Sequence, residues 1–336
     1  MKKTIICTLF AILLSLPAYC QDPTTLSDNN LKGKVLCVKL TTYEYSENFG
    51  EPTTGKIKTH PVITFFDEEG RSVVVRKFSR WSADEVGVET YLFGNTRDES
   101  TLTIKRQGIG FQCKYDNSLE SALLVADDSF ENKALELSGG SYVNKQSILE
   151  NIYDSNNALI TSTLTDYRGK IVGKYVAKPV EPGKYAWTYY LPSGESSDQG
   201  NAEYKDGRIV KMSAKSDGVV NKPKKLTIPL SGSYTYDSDG RLTNLAQQKE
   251  EIKYQLNSHG DVEKTMKLIY GKWIDDASFS DYVYDSQGNW ISRVAISASG
   301  RKTIEKREIK YTSDIDLSLT MPMFRSGIKK ILASYE

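Results

Sequence analysis

The chain has 336 residues, with 44 lysines and arginines against 43 aspartates and glutamates and only two histidines. This balance lacks the basic footprint of a nucleic-acid-binding protein, and it excludes a polyanionic chain. Most of the aromatic residues are tyrosines, 21 in number, which suit half-exposed sheet faces where the ring packs and the hydroxyl stays hydrated.

The N-terminus predicts export. Lys2 and Lys3 precede an apolar run over residues 5–16, shorter than the roughly twenty residues that span a bilayer. Small residues at Ala18 and Cys20 predict cleavage before Gln21. Residues 1–20 are therefore expected to be a signal peptide, and residues 21–30 a flexible N-terminus. The protein is expected in the periplasm, at the cell surface or secreted.

A second interpretation makes Cys20 a lipidated first residue of a lipoprotein. The bulky Tyr19 before it disfavours that interpretation, because lipoprotein signal peptidases prefer a small residue there. No later apolar stretch approaches membrane length, so no transmembrane segment is expected.

Residues 31–115 form a predicted N-terminal β region with long strands. Export would leave Cys37 and Cys113 as its two cysteines. In an oxidising compartment these could form a disulfide, and two buried thiols in separate strands are the alternative. A continuous sheet through this region and the next is an equally open alternative to a separate domain.

Helical spacing is found in three places. Residues 116–150 are predicted as a connecting segment with a short helix over residues 118–125, and a second helical turn is expected over residues 145–152. Residues 312–336 are predicted to carry a C-terminal helix that caps an open sheet edge.

A four-residue turn unit recurs along the chain, most densely in the predicted repeat region, residues 151–311. Its first residue is Asp, Asn or Ser, whose side-chain oxygen can accept from backbone N–H groups of the turn. Its fourth is Gly or Asn, which tolerates positive φ. The seven units begin and end at Asp67 and Gly70, Asp154 and Asn157, Asp166 and Gly169, Asp237 and Gly240, Asn257 and Gly260, Asp285 and Gly288, and Ser297 and Gly300.

Aromatic or branched residues enter these turns, so each is expected to join two strands. Alternation in one of those strands places Trp290, Ser292 and Val294 on one face and Arg293 on the other. The prediction is an all-β fold, an extended antiparallel meander of β-hairpin repeats that is flat or curled into a spiral, with the short helices named above.

The unit Tyr236-Asp237-Ser238-Asp239-Gly240-Arg241-Leu242-Thr243 resembles the YD repeat of the Rhs family, and a partial copy begins at Tyr284. The resemblance is best over residues 230–311. It implies spiralling β-hairpins and extracellular binding. The chain has far fewer repeats than the family's enclosing shells, so their shell function is not implied.

Catalytic and metal-binding patterns are weak. His60 and His259 stand in unlike contexts, and no Cys-x-x-Cys occurs, so neither metal nor cofactor is predicted. The segment Gly50 to Lys56 fits part of a phosphate-binding loop, but Ile57 replaces the Ser or Thr that would hold magnesium, which favours a hairpin loop.

Aromatic side chains are the remaining candidates for ligand contact, because flat rings stack on sugars and anchor protein interfaces. They are Trp81, Trp187, Tyr189, Tyr190, Trp273 and Trp290. The sequence thus predicts a noncatalytic binding or scaffold protein of the cell envelope that contacts a glycan or a protein. The alternatives are a glycan-processing enzyme with a carboxylate pair in the N-terminal region, and an assembly partner of a neighbouring-gene product.

Overall fold

The computed structural model describes residues 25–80, 85–98, 100–114, 144–215, 226, 229, 231–247 and 251–314. These residues form eighteen strands and one short 3₁₀ turn, Thr312–Asp314. The strands are β1 Val35–Asn48, β2 Glu51–Phe66, β3 Ser72–Arg80, β4 Glu85–Arg97, β5 Thr101–Lys114, β6 Asn144–Asp154, β7 Leu159–Thr165, β8 Ile171–Glu181, β9 Lys184–Tyr190, β10 Ser196–Lys205, β11 Arg208–Ala214, β12 Gly232–Tyr236, β13 Leu242–Ala246, β14 Glu251–Leu256, β15 Val262–Ile269, β16 Lys272–Tyr284, β17 Trp290–Ser297 and β18 Lys302–Tyr311.

All strand pairs are antiparallel, and each strand pairs with the next along the chain. β1 pairs with β2 and also with β18, over the register Val35 with Tyr311 to Glu44 with Thr303. Each of the eighteen strands therefore has hydrogen-bonded neighbours on both sides. The predicted all-β antiparallel meander of hairpins is confirmed.

A large apolar cluster of the described residues lies mainly in β6–β11 and follows the period of two expected for strands. In β9, Tyr185, Trp187 and Tyr189 are buried, whereas Lys184 before them and Ala186 between the first two are exposed. Alternation of this kind turns one row of side chains towards the cluster. The ring centroids of Tyr175 and Trp187 lie 5.8 Å apart.

The helical turn predicted over residues 145–152 is wrong, because these residues belong to β6. Leu149 and Asn151, two residues apart, are both buried, and β6 is hydrogen-bonded to β5 and to β7. Pairing on both sides outweighs a weak local helical pattern. β6 begins at Asn144 and pairs with β5, from Thr101 with Asp154 to Gly110 with Asn144.

The face predicted for Trp290 is also wrong, whereas Ser292 and Val294 alternate with Arg293 as predicted. A register shift separates the Tyr284–Trp290 pair from the Val283–Ser292 pair, and a bulge of this kind moves a side chain to the other face. The Trp290 ring consequently lies 4.2 Å from the guanidinium of Arg293.

Several predictions concern residues outside those that the structure describes. They are the signal peptide with Cys20, the helices at residues 118–125 and 323–335, and Trp81. Within the described ranges, no helix is long and apolar enough to cross a membrane.

Candidate functional site

Successive hairpins turn at opposite ends of the sheet, and five of the seven turn units share one end. That end, called the capped end, carries the units that begin at Asp67, Asp154, Asp237, Asn257 and Asp285. In the unit at Asp237, Oδ1 accepts from the N–H groups of Asp239 at 3.0 Å and Arg241 at 2.8 Å. Gly240 closes the turn at φ 78°, a conformation that glycine adopts without steric cost.

The second oxygen of several capping aspartates also has a partner. Asp237 Oδ2 accepts from Arg241 Nε at 2.8 Å, and Asp67 Oδ2 accepts from Arg71 Nε at 3.2 Å. At Asp154 the donor is the hydroxyl of Tyr185 from another hairpin. The arginine that follows the turn glycine (Arg71 after Gly70, Arg241 after Gly240), here called the arginine of the Gly-Arg pair, therefore has a structural role in the turn.

Residues 25–32, called the strap, cross the capped end and join three of its turns. The Leu26 N–H donates to the Gly70 carbonyl at 2.8 Å, and the Asn30 side chain donates to Asp261 Oδ1 at 2.8 Å. Asn289 accepts from the Lys32 N–H at 2.7 Å and donates to the Lys32 carbonyl at 2.9 Å. A shallow cavity of about 310 Å³ lies where the strap passes Asp239 and Arg241.

A buried charge cluster lies beside the capped end on β16–β18. Arg293 donates through Nε to Glu305 Oε2 at 2.7 Å, with Nη2 2.6 Å from the same oxygen. The Arg307 guanidinium stacks on Trp290 at 3.7 Å, and its Nη1 has no hydrogen-bond partner among the described residues. Burial, followed by repulsion from Arg293, lowers the pKa of Arg307 to about 9.

The pKa of Arg293, in contrast, is raised. Burial opposes its charge, but the Glu305 carboxylate and the Tyr282 hydroxyl outweigh that effect and hold the pKa above its ordinary value. Burial raises the pKa of Tyr282. Paired in this way, the cluster joins β16, β17 and β18 through their side chains.

The structure separates the predicted aromatic candidates rather than gathering them. Trp187, Tyr189 and Trp290 are buried, Tyr190 is half-buried, and Trp273 is 37% exposed. Buried rings cannot reach an external ligand without unfolding their surroundings, so Trp273 is the described candidate best placed to meet one.

Trp273 lies on the face of the sheet formed by β14–β16. It pairs across the ladder with Leu268, and the Lys253 ammonium lies 4.0 Å from its ring centroid. Nearby, Lys264 and Asp275 form an ion pair at 2.8 Å. We call these five residues the Trp273 face.

The other end of the sheet, called the tip end, carries two two-residue hairpin loops that each begin with an aromatic residue. Phe49 and Tyr270 are fully exposed, with φ of 51° and 50°, and each is followed by a glycine with positive φ. Two-residue hairpin loops of this kind strongly prefer Asn-Gly or Asp-Gly. A bulky side chain in this left-handed conformation costs about 1–2 kcal/mol.

At the capped end, a two-residue loop of the same kind carries Asp-Gly, the usual pair for this turn. Asp206 and Gly207, between β10 and β11, have φ of 51° and 74°, close to the values at Tyr270 and Gly271. Turn formation therefore does not account for an aromatic residue at either apex.

Neither apex carries the Asp-x-x-Gly unit. The hairpin loop predicted from Gly50 to Lys56 is instead the pair Phe49-Gly50, because residues 51–56 belong to β2, and the Tyr270 apex was missed. The signal available was an aromatic-glycine pair between two strands.

Cys37 is buried in β1, and Cys113 lies in β5, with β2, β3 and β4 between them along the sheet. The side chain of Cys113 is outside the described set. Their disulfide stays a prediction.

The glycan-processing alternative requires a pair of carboxyl groups at a defined separation. Glycosidases hold two carboxyl groups roughly 5–9.5 Å apart. The buried carboxylates of the described residues are Asp198, Asp261 and Glu305, all outside the N-terminal region, and Glu305 is paired with Arg293. In the described part of the chain no group of three or more potential ligands could hold a metal ion.

No family model and no curated protein matches the chain. Among solved structures, a porin-like protein from Bacteroides uniformis aligns with a TM-score of 0.36 and 9% identity, covering 83% of this chain and 99% of that chain. A porin-like protein from Bacteroides vulgatus aligns with a TM-score of 0.17 and 9% identity, covering 84% of this chain and 99% of that chain. Likenesses this weak carry no argument about function.

Proposed function

We propose that the protein is an exported, noncatalytic binding scaffold that holds a glycan or an envelope protein against the Trp273 face. The observation that carries the proposal is the position of Trp273, a partly exposed indole on a paired strand with a lysine against its ring. Such a ring offers a flat apolar surface at a fixed place, which suits stacking on a sugar or anchoring a protein contact.

The hairpin architecture supports a scaffold role and the proposed Rhs-like character. Hydrogen-bonded turns with aspartate caps hold the strands in register, and each strand is paired on both sides. A binding face on strands is more rigid than one on loops, so less entropy is lost when a partner is bound.

A glycan array and a pull-down from envelope extracts test the proposal with the wild type and Trp273→Ala. Tyr167→Ala is the matched control, because Tyr167 is an exposed aromatic residue at another hairpin. We expect Trp273→Ala to weaken retention at least tenfold and Tyr167→Ala to leave it unchanged. Blank results for the wild type in both assays at micromolar protein would contradict the proposal.

Export is tested separately by N-terminal sequencing of protein recovered from the envelope or the medium. The signal peptide predicts a mature chain that begins at Gln21. Accumulation of a precursor under a lipoprotein-signal-peptidase inhibitor would instead show that Cys20 is lipidated.

A further inference from the structure

Large apolar side chains are exposed unevenly over the two ends of the sheet. Ten are strongly exposed among the described residues. Val180 and Val283 lie near turns of the capped end, and Ile57 lies within β2. The other seven are at or within four residues of tip-end turns: Phe49, Tyr167, Ile171, Ile269, Tyr270, Trp273 and Ile274.

Two of the tip-end hairpins project beyond the hairpin between them. Ala277 pairs with Ser297, where β17 ends, so residues 270–276 of β15–β16 extend past that row. Glu44 pairs with Thr303 at the start of β18, so residues 46–50 of β1–β2 also extend past it. At about 3.3 Å per residue, the two apices lie roughly 10–20 Å past these paired rows.

We propose that Phe49 and Tyr270, at the apices of these two hairpins, insert into the lipid–water interface of a membrane. Three strand spacings separate β16 from β1, about 14 Å, and the lower β17–β18 hairpin lies between them, so the apices are two separate convex points. A protein partner would need a matching pocket for each point. A lipid surface is continuous and deformable and accepts both at once, and aromatic rings favour its interfacial region.

The charges beside the apices indicate which lipids suit them. Lys272 follows the Tyr270 apex, whereas Glu47 and Glu51 flank the Phe49 apex. Arg301 and Lys302 lie lower, on the intervening hairpin. Because the two apices carry opposite charge, attachment depends on the rings and is expected for zwitterionic vesicles with little dependence on salt.

The strained backbone at both apices supplies a clean test. Asn is the preferred residue of this turn type, so Phe49→Asn with Tyr270→Asn removes both rings without damaging either hairpin. Asp206→Asn makes the matching change at the capped end. The purified full chain is sedimented with phosphatidylcholine vesicles, with and without added phosphatidylglycerol.

We expect the wild type and Asp206→Asn to bind alike, and the double variant to bind at least tenfold more weakly. Wild-type protein that stays in the supernatant with both vesicle types, or a double variant that sediments like the wild type, would overturn the proposal. Binding only to vesicles with phosphatidylglycerol would overturn it too, because it would show charge-driven attachment. The double variant is expected to keep glycan or protein retention, so this proposal and the Trp273 proposal can fail independently.

Discussion

The two ends of the sheet turn their hairpins by different chemistry. At the capped end, Asp237 and its counterparts bind the backbone of their own turns, and the strap then joins three turns through Leu26, Asn30 and Asn289. At the tip end, Phe49 and Tyr270 occupy the same left-handed conformation as Asp206 but are fully exposed.

This difference separates residues that hold the fold from residues that the fold merely displays. Capped-end side chains such as Asp237 and Asn289 are bonded to their own turns or to the strap, so their removal should lower the stability of the fold. At the tip end, Phe49 and Tyr270 are fully exposed, so packing does not offset the strain of their backbone, and their replacement by Asn should stabilise the fold.

The largest expected effect comes from the charge cluster beside the capped end. Arg293→Met leaves Glu305 buried without its ion pair, and we expect a loss of about 3–5 kcal/mol in the free energy of unfolding. Arg307→Met is the matched control, since Arg307 Nη1 has no hydrogen-bond partner among the described residues, and its removal should change stability by less than about 1 kcal/mol. Urea denaturation measures both, and equal losses would contradict the assigned pairing.

Asn289→Ala is expected to have the next largest effect. It removes two hydrogen bonds to Lys32 and one to the Tyr311 hydroxyl, all from a buried side chain, so we expect a loss of about 2–3 kcal/mol. Proteolysis near the strap should also accelerate. Ser299→Ala at a tip-end turn is the control, and an equal loss there would show that the strap adds no stability.

A smaller loss of stability is expected when the tyrosine of the tip-end apex is introduced at the equivalent capped-end loop. Asp206→Tyr places an aromatic side chain at φ 51°, and we expect it to cost about 1 kcal/mol, measurable by thermal denaturation. Asp206→Asn should be neutral. A stabilising Asp206→Tyr would show that aromatic residues suit this turn, and would remove the strain argument at Phe49 and Tyr270.

The smallest expected effect is on the dependence of folding stability on acidic pH. Burial works against ionisation of Asp237, but the backbone N–H and guanidinium of Arg241 outweigh it and lower the pKa of the carboxyl. A depressed folded-state pKa gives stability that is present above the unfolded-state pKa near 4 and is lost as pH falls through the folded-state pKa. Asp237→Asn should reduce this acid dependence by about 0.5–1 kcal/mol. An unchanged pH profile would contradict the role of the Asp237–Arg241 pair.

The features predicted correctly from the sequence are those, such as the hairpin turns, whose interactions lie within a few residues of each other. Asp237 and Gly240 identify a hairpin turn because both ends of the interaction lie within five residues. The strap was missed because Asn30 and Asp261 are distant in sequence, although Asn289, in place of the arginine of the Gly-Arg pair, marks an altered turn. Trp290 was assigned to the wrong face because one bulge reverses an alternation, and bulges leave little trace in composition.

The measurement that most directly tests the separation of the two ends is the unfolding free energy of the Phe49→Asn, Tyr270→Asn double variant. Relief of strain at both apices predicts a rise of about 1–2 kcal/mol, together with the loss of vesicle binding. A fall in the free energy of unfolding would mean that the two rings support the fold, and would contradict the account of the tip end as a displayed surface.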